Sequence, residues 1–428
     1  MKRLIPIVLA LLLALSGCAA LLDREYLVVE PHVEKKSPEF DPADLTVNSR
    51  ESLKSAFLLL VQNHIESSVI RVANYSGEIE RDLPEVRIEV SEEEPIGAFA
   101  INYMSYSVSR VLTQYTVTVN ISYRYTAEQI AAIKPVSYVT GLSEELLDVL
   151  RSRRPSLTVE MNYYDPQLHD VEKLLSSQYY QNPQWAMGMP EISIKTYPET
   201  GLRRIIDVEF SFPGTDSELL SRERMSEVAM LELAERLPAD ALPPVAALLL
   251  HDYLNEHIEP YTGAGGVSSV STLYGAAAAR LADSEGYALA YKRACDIVGI
   301  ECRILAGHKN GDAYFWNAVN LGGNWYHVDL YANDLESGHE MFLKDDLAME
   351  EAAYRWDKNS APVCDLGPLS YERIFAEINP EDTPPDDPDG YGSHEEDTPP
   401  DDHGGGLREE PPVTDTPEAA PDEQEISD

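Results

Sequence analysis

The chain has 428 residues and a formal net charge of −41, with 74 acidic side chains against 33 lysines and arginines. That length supports two or three domains. So acidic a surface is a poor partner for nucleic acid or bare anionic lipid headgroups, and four cysteines are too few for a disulfide-built fold.

Lys2 and Arg3 precede an apolar run from Leu4 to Leu15. The run is far shorter than the roughly 20 residues of a membrane-spanning helix, which makes residues 1–17 a signal peptide. It ends in Leu15-Ser16-Gly17-Cys18, which resembles a bacterial lipobox. That resemblance implies acylation of Cys18, so that lipid anchors the mature protein outside the cytoplasm on the cell membrane. Each buried methylene contributes about 0.8 kcal/mol, so several acyl chains on one cysteine hold firmly. Residues 18–44, with Pro31, Pro38 and Pro42, form a spacer after the anchor.

Two repeats of one α+β unit are expected next, at 45–135 and 136–223. Each has the order strand, helix, strand, a less regular helical stretch, strand, strand. In the first, Leu45 to Val47 opens the unit, a helix covers Glu51 to Leu60, and Val69 to Val72 forms a strand. Ser105 to Val111 and Tyr115 to Tyr123 close it. In the second, Val136 to Thr140 is the opening strand and Ser143 caps a helix. Strands follow at Leu157 to Tyr163, Glu191 to Tyr197 and Arg204 to Phe212. Alternation around Val117 and Val208 predicts one buried and one wet face for those strands. Neither unit gathers catalytic side chains.

A third α+β domain is expected at 224–377. Asp283-Ser284 precedes a helix whose apolar face holds Tyr287, Tyr291, Ala294, Cys295 and Val298, with Gly299 placed to end it. Residue 284 then sits at a helix N-terminus, where partial positive charge favours a thiolate. A strand from Cys302 to Leu305 leads through a turn near Asn310-Gly311. Gly322-Gly323 joins Tyr314–Leu321 to Asn324–Leu330 as a two-residue hairpin. With that loop, 321 faces 324 and 316 faces 329, so Tyr314, Trp316 and Asp329 share one face of the sheet. A histidine at 314 could bridge Asp329 and a nucleophile at 284.

These residues resemble the transglutaminase-like superfamily, which has a papain-like core. The similarity runs from Leu249-Leu250-His251-Asp252-Tyr253-Leu254 through Tyr274-Gly275, Ser284-Glu285-Gly286-Tyr287-Ala288, Gly299-Ile300-Glu301-Cys302-Arg303 and Trp316-Asn317 to Trp325-Tyr326-His327-Val328-Asp329. It implies that position 284 holds the family's nucleophilic cysteine, 314 its histidine and 329 its orienting acid. Here the three are Ser284, Tyr314 and Asp329. A serine without a base is a weak nucleophile, and a tyrosine, with a pKa near 10, is a poor base at neutral pH. His327 and His308 are the remaining imidazoles to consider as a base for Ser284. The first is expected in the scaffold and the second at a turn.

The expectation is therefore a membrane-anchored extracytoplasmic lipoprotein whose transglutaminase-like domain binds or scaffolds rather than reacts. The alternative is a divergent hydrolase or acyltransferase with Ser284 as nucleophile. A ligand cleft is expected around Tyr314, Trp316 and Trp325, taking a peptide, a cell-wall fragment or another exported protein. No cofactor is expected, and no metal, because no His, Cys and acid cluster has ligand spacing along the chain. Cys295 and Cys302 are expected in the core, and after Cys18 the three cysteines that include Cys364 cannot all pair internally. From Pro380 to Asp428, 18 acids stand against Arg408 alone, and Glu381-Asp382-Thr383-Pro384-Pro385-Asp386-Asp387 returns as Glu396 to Asp402. Residues 378–428 are expected to be a disordered acidic tail.

Overall fold

A computed structural model describes residues 41–378, apart from 43, 112–113 and 264–268. The signal segment, Cys18 and the acidic tail lie outside the described residues.

The first sheet is built from β1 (Thr46–Val47), α1 (Arg50–Gln62), β2 (Ser67–Val72), α2 (Ile79–Ile88), α3 (Pro95–Ala100), β3 (Ile101–Val111) and β4 (Gln114–Tyr123). Its strand order is β1-β2-β4-β3, with β1 parallel to β2 and the other pairs antiparallel. Helix α1 starts where Ser49 and Ser52 cap each other's backbone in a capping box. Its Leu53, Phe57, Leu60 and Val61 recur at helical spacing and pack on Ile70, Val117 and Val119 of the sheet. Residues 117–122 of β4 alternate between core and outside, as their sequence predicts.

Next come α4 (Ala127–Ala131), β5 (Lys134–Val136), α5 (Val139–Ser152), β6 (Ser156–Met161), α6 (Val171–Gln181), β7 (Glu191–Tyr197) and β8 (Arg204–Ser211). The second sheet has the order β5-β6-β8-β7 with the same pattern of senses as the first. Three local expectations need correction. Strand β5 begins before residue 136 and ends there. Helix α5 starts at Val139, capped by Tyr138 without a side-chain bond, so Ser143 lies inside it and caps nothing. The apolar residues Leu142, Leu146, Val149 and Leu150 extend the helical face a turn further back than Ser143 would allow. Strand β8 is buried on both faces over Ile205 to Val208. Ile206 and Val208 enter the core of their own sheet, while Ile205 enters the core of the first. Tyr125 donates to Asp207 at 3.0 Å across the same seam, where Thr158 also donates at 2.8 Å.

The last part comprises α7 (Asp216–Ala234), α8 (Pro243–His257), β9 (Glu259–Pro260), β10 (Leu281–Ala282), α9 (Ser284–Val298), β11 (Cys302–Lys309), β12 (Asp312–Leu321), β13 (Asn324–Val328), α10 (Leu330–Glu336), β14 (Phe342–Lys344), α11 (Asp346–Glu351), β15 (Tyr354–Trp356) and α12 (Tyr371–Ile378). Helix α7 runs unbroken through residues 223 and 224, so the chain does not change element there. The sheet has the order β14-β13-β12-β11-β15, antiparallel throughout. Leu321 pairs with Asn324 across Gly322 and Gly323, both at positive φ (66° and 91°), the conformation that suits a two-residue hairpin loop. Helix α9 covers one face, its Tyr287, Tyr291, Ala294 and Cys295 in one cluster with Val319, Tyr326 and Val328. The other face holds Leu305, Trp316, Ala318, Met349, Tyr354 and Cys364. Because the α9 cluster also contains Leu146, Leu175 and Tyr179, the second sheet's core and this one are continuous.

Candidate functional site

Helix α9 carries Ser284 as its first residue. The preceding Asp283 caps it, one carboxylate oxygen accepting from the N–H groups of Glu285 and Gly286 at 3.1 Å each. Ser271 donates to the other oxygen. The positive end of the helix is thus already met by an anion, which offsets the field that would favour a thiolate at 284. Gly286 is required where it stands, because the carbonyl oxygen of Val270 occupies the place a Cβ would take. At the other end Gly299 closes the helix in the left-handed conformation, at φ 79°.

The Ser284 hydroxyl accepts a long bond, 3.4 Å, from the Phe315 N–H on β12. No imidazole among the described residues bonds it. His327 is fully buried and committed: Trp316 Nε1 donates to its Nδ1 at 3.0 Å, and its Nε2 lies 2.9 Å from Asp346. Indole nitrogen only donates, so Nδ1 is the acceptor, and Nε2 carries the hydrogen toward Asp346. His308 is exposed and pairs with Ala313 at the open end of the sheet, on the face shared by Phe315.

Asp329 is buried and caps α10, accepting from Ala332 N–H at 3.0 Å. Its other oxygen accepts from the Tyr354 hydroxyl at 2.5 Å, and the Lys309 ammonium stands 4.0 Å away. Burial pushes the Asp329 carboxyl up, opposed by the Tyr354 and Ala332 bonds and by Lys309. Tyr314 lies toward the same carboxylate, and its ring meets Tyr354 at 5.7 Å and Tyr331 at 6.1 Å. Its hydroxyl is buried without a hydrogen-bond partner of acceptable geometry. Burial, and then the negative charge of Asp329, hold Tyr314 far above an ordinary tyrosine, the wrong direction for a base. Lys309 lies over the rings of both Tyr314 and Tyr354, at 5.2 and 4.8 Å.

Tyr354, Lys309 and the partner of Glu285 were not foreseen. Glu285, next to Ser284 in sequence, is half-buried and accepts from Tyr180 at 3.0 Å, and Tyr180 stacks obliquely on Phe315 at 5.5 Å. Burial raises the Glu285 carboxyl to about 7. Tyr180 belongs to α6, so the preceding α+β unit supplies one wall of the Ser284 neighbourhood. Alternation from the Asn310-Gly311 turn would have put Lys309 on the Tyr314 face. Nothing local announced Tyr354 or Tyr180.

The three aromatic residues expected to line a cleft share one cluster, with Tyr314 and Trp325 partly buried against it. Trp316 is 1% exposed and belongs to the core under the sheet. Trp325 lies near the opposite hairpin end, beneath Arg303 at 4.9 Å. Asn317, next to Trp316, ties β12 to α9 by donating to the Ala288 carbonyl at 3.0 Å. Cys295 and Cys302 are buried free thiols, as is Cys364, and burial drives the Cys295 and Cys364 thiols up.

Tertiary contact also brings together two groups with metal-ligand chemistry that the spacing along the chain hid, His251–Asp252–His339 and His327–Asp346–Cys364. Neither fits a cation as built. Asn333 accepts from Met341 N–H at 2.7 Å, which orients its amide to donate to His251 Nε2 at 2.9 Å. His251 Nδ1 therefore carries the proton, which it gives to Asp252 at 2.8 Å. The Trp316 donor fixes His327 in the same way. In each cluster the nitrogen facing the other ligands is the protonated one, and a metal needs its lone pair.

No family model matches the chain, and no curated protein matches it. Among solved structures, a candidate cysteine protease from Cytophaga hutchinsonii is similar over 33% of this chain and 62% of its own, at 14% identity and a TM-score of 0.21. A TGase is similar over 41% of this chain and 50% of its own, at 12% identity and a TM-score of 0.23. A candidate protease from Parabacteroides distasonis is similar over 64% of each chain, at 7% identity and a TM-score of 0.18. The chain spans less than two thirds of each of these proteins.

Proposed function

We propose that this chain is an envelope lipoprotein, anchored through Cys18, whose transglutaminase-like domain binds a ligand or partner and performs no acyl transfer. The observation that carries the reading is the environment of Ser284. Among the described residues its hydroxyl is bonded by the Phe315 N–H alone, while the carboxylate in the orienting position, Asp329, is engaged by Tyr354. Attack by a serine needs a base to take its proton, and the tyrosine in the base position is shifted away from that role. The two sheets with identical strand order and senses support a reading of the preceding segment as tandem copies of one unit that present the domain at a distance from the membrane.

The test is covalent labelling. The protein is treated with a serine-reactive fluorophosphonate and with a thiol-reactive probe, adducts are mapped by mass spectrometry, and Ser284→Ala is the control. No adduct at 284 is the expected result. Labelling at Ser284 that disappears in the control would establish a serine-variant hydrolase and sink the binding reading. Anchoring is tested separately: Cys18→Ala should abolish incorporation of labelled fatty acid and release the protein from the membrane fraction. A Cys18→Ala protein that stays membrane-bound would refute the anchor.

A further inference from the structure

Among the described residues, β3 is the longest strand that ends a sheet, with 11 residues. From Asn102 to Ser109 it reads Asn-Tyr-Met-Ser-Tyr-Ser-Val-Ser, without a charge, and β4 beside it has none either. In a chain of net charge −41 this is an unusual surface. One side of β3 pairs regularly with β4 from Tyr103 to Val111, and no strand among the described residues pairs with the other. Tyr103 is 65% exposed and Val108 38%. A row of backbone donors and acceptors on a long uncharged edge is a template for another strand.

Every other sheet end among the described residues is short or guarded. Strands β1, β5, β14 and β15 have two or three residues. Strand β7 takes the place of β3 in the second sheet, but it carries Glu191 and Lys195 and is flanked by Pro190 and Pro198. Charge and proline are the usual devices that stop an edge from pairing. Between 102 and 109, β3 has no proline, glycine, lysine or acid.

We propose that β3 pairs with β3 of a second copy of this chain, antiparallel about a twofold axis, so that two four-stranded sheets join into one of eight strands. Charge selects this occupant. Two copies at −41 repel wherever acidic surfaces approach, and this edge lets both present neutral backbone. A strand meeting itself antiparallel is self-complementary, so the assembly closes at two. Arg110, at the end of the strand and stacked on Tyr115 at 5.0 Å, then falls toward the neutral Asn102 end of its partner.

The experiment measures the mass of the full-length protein in detergent by light scattering, from about 1 to about 100 µM, a range that brackets micromolar association. A dimer is expected. Ser105→Lys with Ser107→Lys, both at solvent-accessible positions, places like charges across the seam and should weaken the dimer at least about tenfold while leaving the melting temperature unchanged. Ser107→Cys should yield a reducible cross-linked dimer, and Ser193→Cys on β7 should not. A monomeric wild type would overturn the proposal and leave the edge to a foreign strand. A dimer that survives the paired lysines, or that fails to cross-link through position 107, would overturn it equally.

Discussion

Tyr354 donates its hydroxyl to Asp329 from β15, on the far side of the sheet from the strand that leads into Asp329. The donor is a phenol, a group that holds its proton at neutral pH. Burial and the adjacent Asp329 both push the Tyr354 hydroxyl upward in pKa. The arrangement stabilises a buried carboxyl, and no imidazole among the described residues bonds Ser284.

Removing that hydroxyl should therefore be felt as stability. Tyr354→Phe leaves the buried Asp329 with one hydrogen bond fewer, a loss of about 1–3 kcal/mol. Denaturant titration should show a lower midpoint at unchanged slope. A variant as stable as the parent would mean that Asp329 takes its support elsewhere.

A cysteine at 284 and a histidine at 314 should give thiol chemistry only in combination. Ser284→Cys alone puts a thiol at a helix end already neutralised by Asp283. Adding Tyr314→His supplies a base directed at Asp329. Alkylation by iodoacetamide at slightly acidic pH should be at least about tenfold faster in the double variant than in the single one. Equal rates would show that Tyr354 keeps Asp329 from orienting the new imidazole.

Glu285 predicts a pH dependence with a definite sign. Its folded carboxyl titrates at about 7, above the 4.5 of a free glutamate. Between those values the folded state holds the extra proton, so stability falls as pH rises through the window. Glu285→Gln should gain on the order of 1 kcal/mol above pH 7 relative to the parent and nothing near pH 5. The readout is unfolding free energy at both pH values, and a gain that persists at pH 5 would contradict the assignment.

The buried histidines act in the opposite direction. Burial lowers His251 and His327 below 6.5, so the unfolded chain binds the proton first on acidification. Their contribution is fully present above pH 6.5 and is lost as pH falls through the folded values. Trp316→Phe frees His327 Nδ1 to accept that proton. The acid limb of the stability profile should become shallower in this variant, and an unchanged limb would assign it to other groups.

The seam between the first two sheets should respond to one hydroxyl. Asp207 is 7% exposed and is reached by Tyr125 from the first unit. Tyr125→Phe removes one of its two side-chain donors and should cost about 1–3 kcal/mol. Loss of cooperativity, read as a second unfolding transition, would place the seam among the stronger links between the units.

What the amino-acid sequence determined by itself is what local chemistry specifies. Asp283 and Gly299 mark the ends of α9, and Gly322-Gly323 sets the hairpin register, because caps and two-residue loops depend on dihedrals and bonds within a few residues. The apolar spacing of Tyr287, Tyr291, Ala294 and Cys295 chose the buried face of α9 for the same reason. Only the tertiary structure decided the rest. Tyr354 reaches Asp329 across 25 positions and Tyr180 reaches Glu285 across 105, through strand order and helix packing that no local period encodes. Trp316 looked like a cleft residue because a strand pattern separates two faces without saying which is covered. The segment from Met349 to Cys364 covers it, and the partner of Asp329 arrived with that cover.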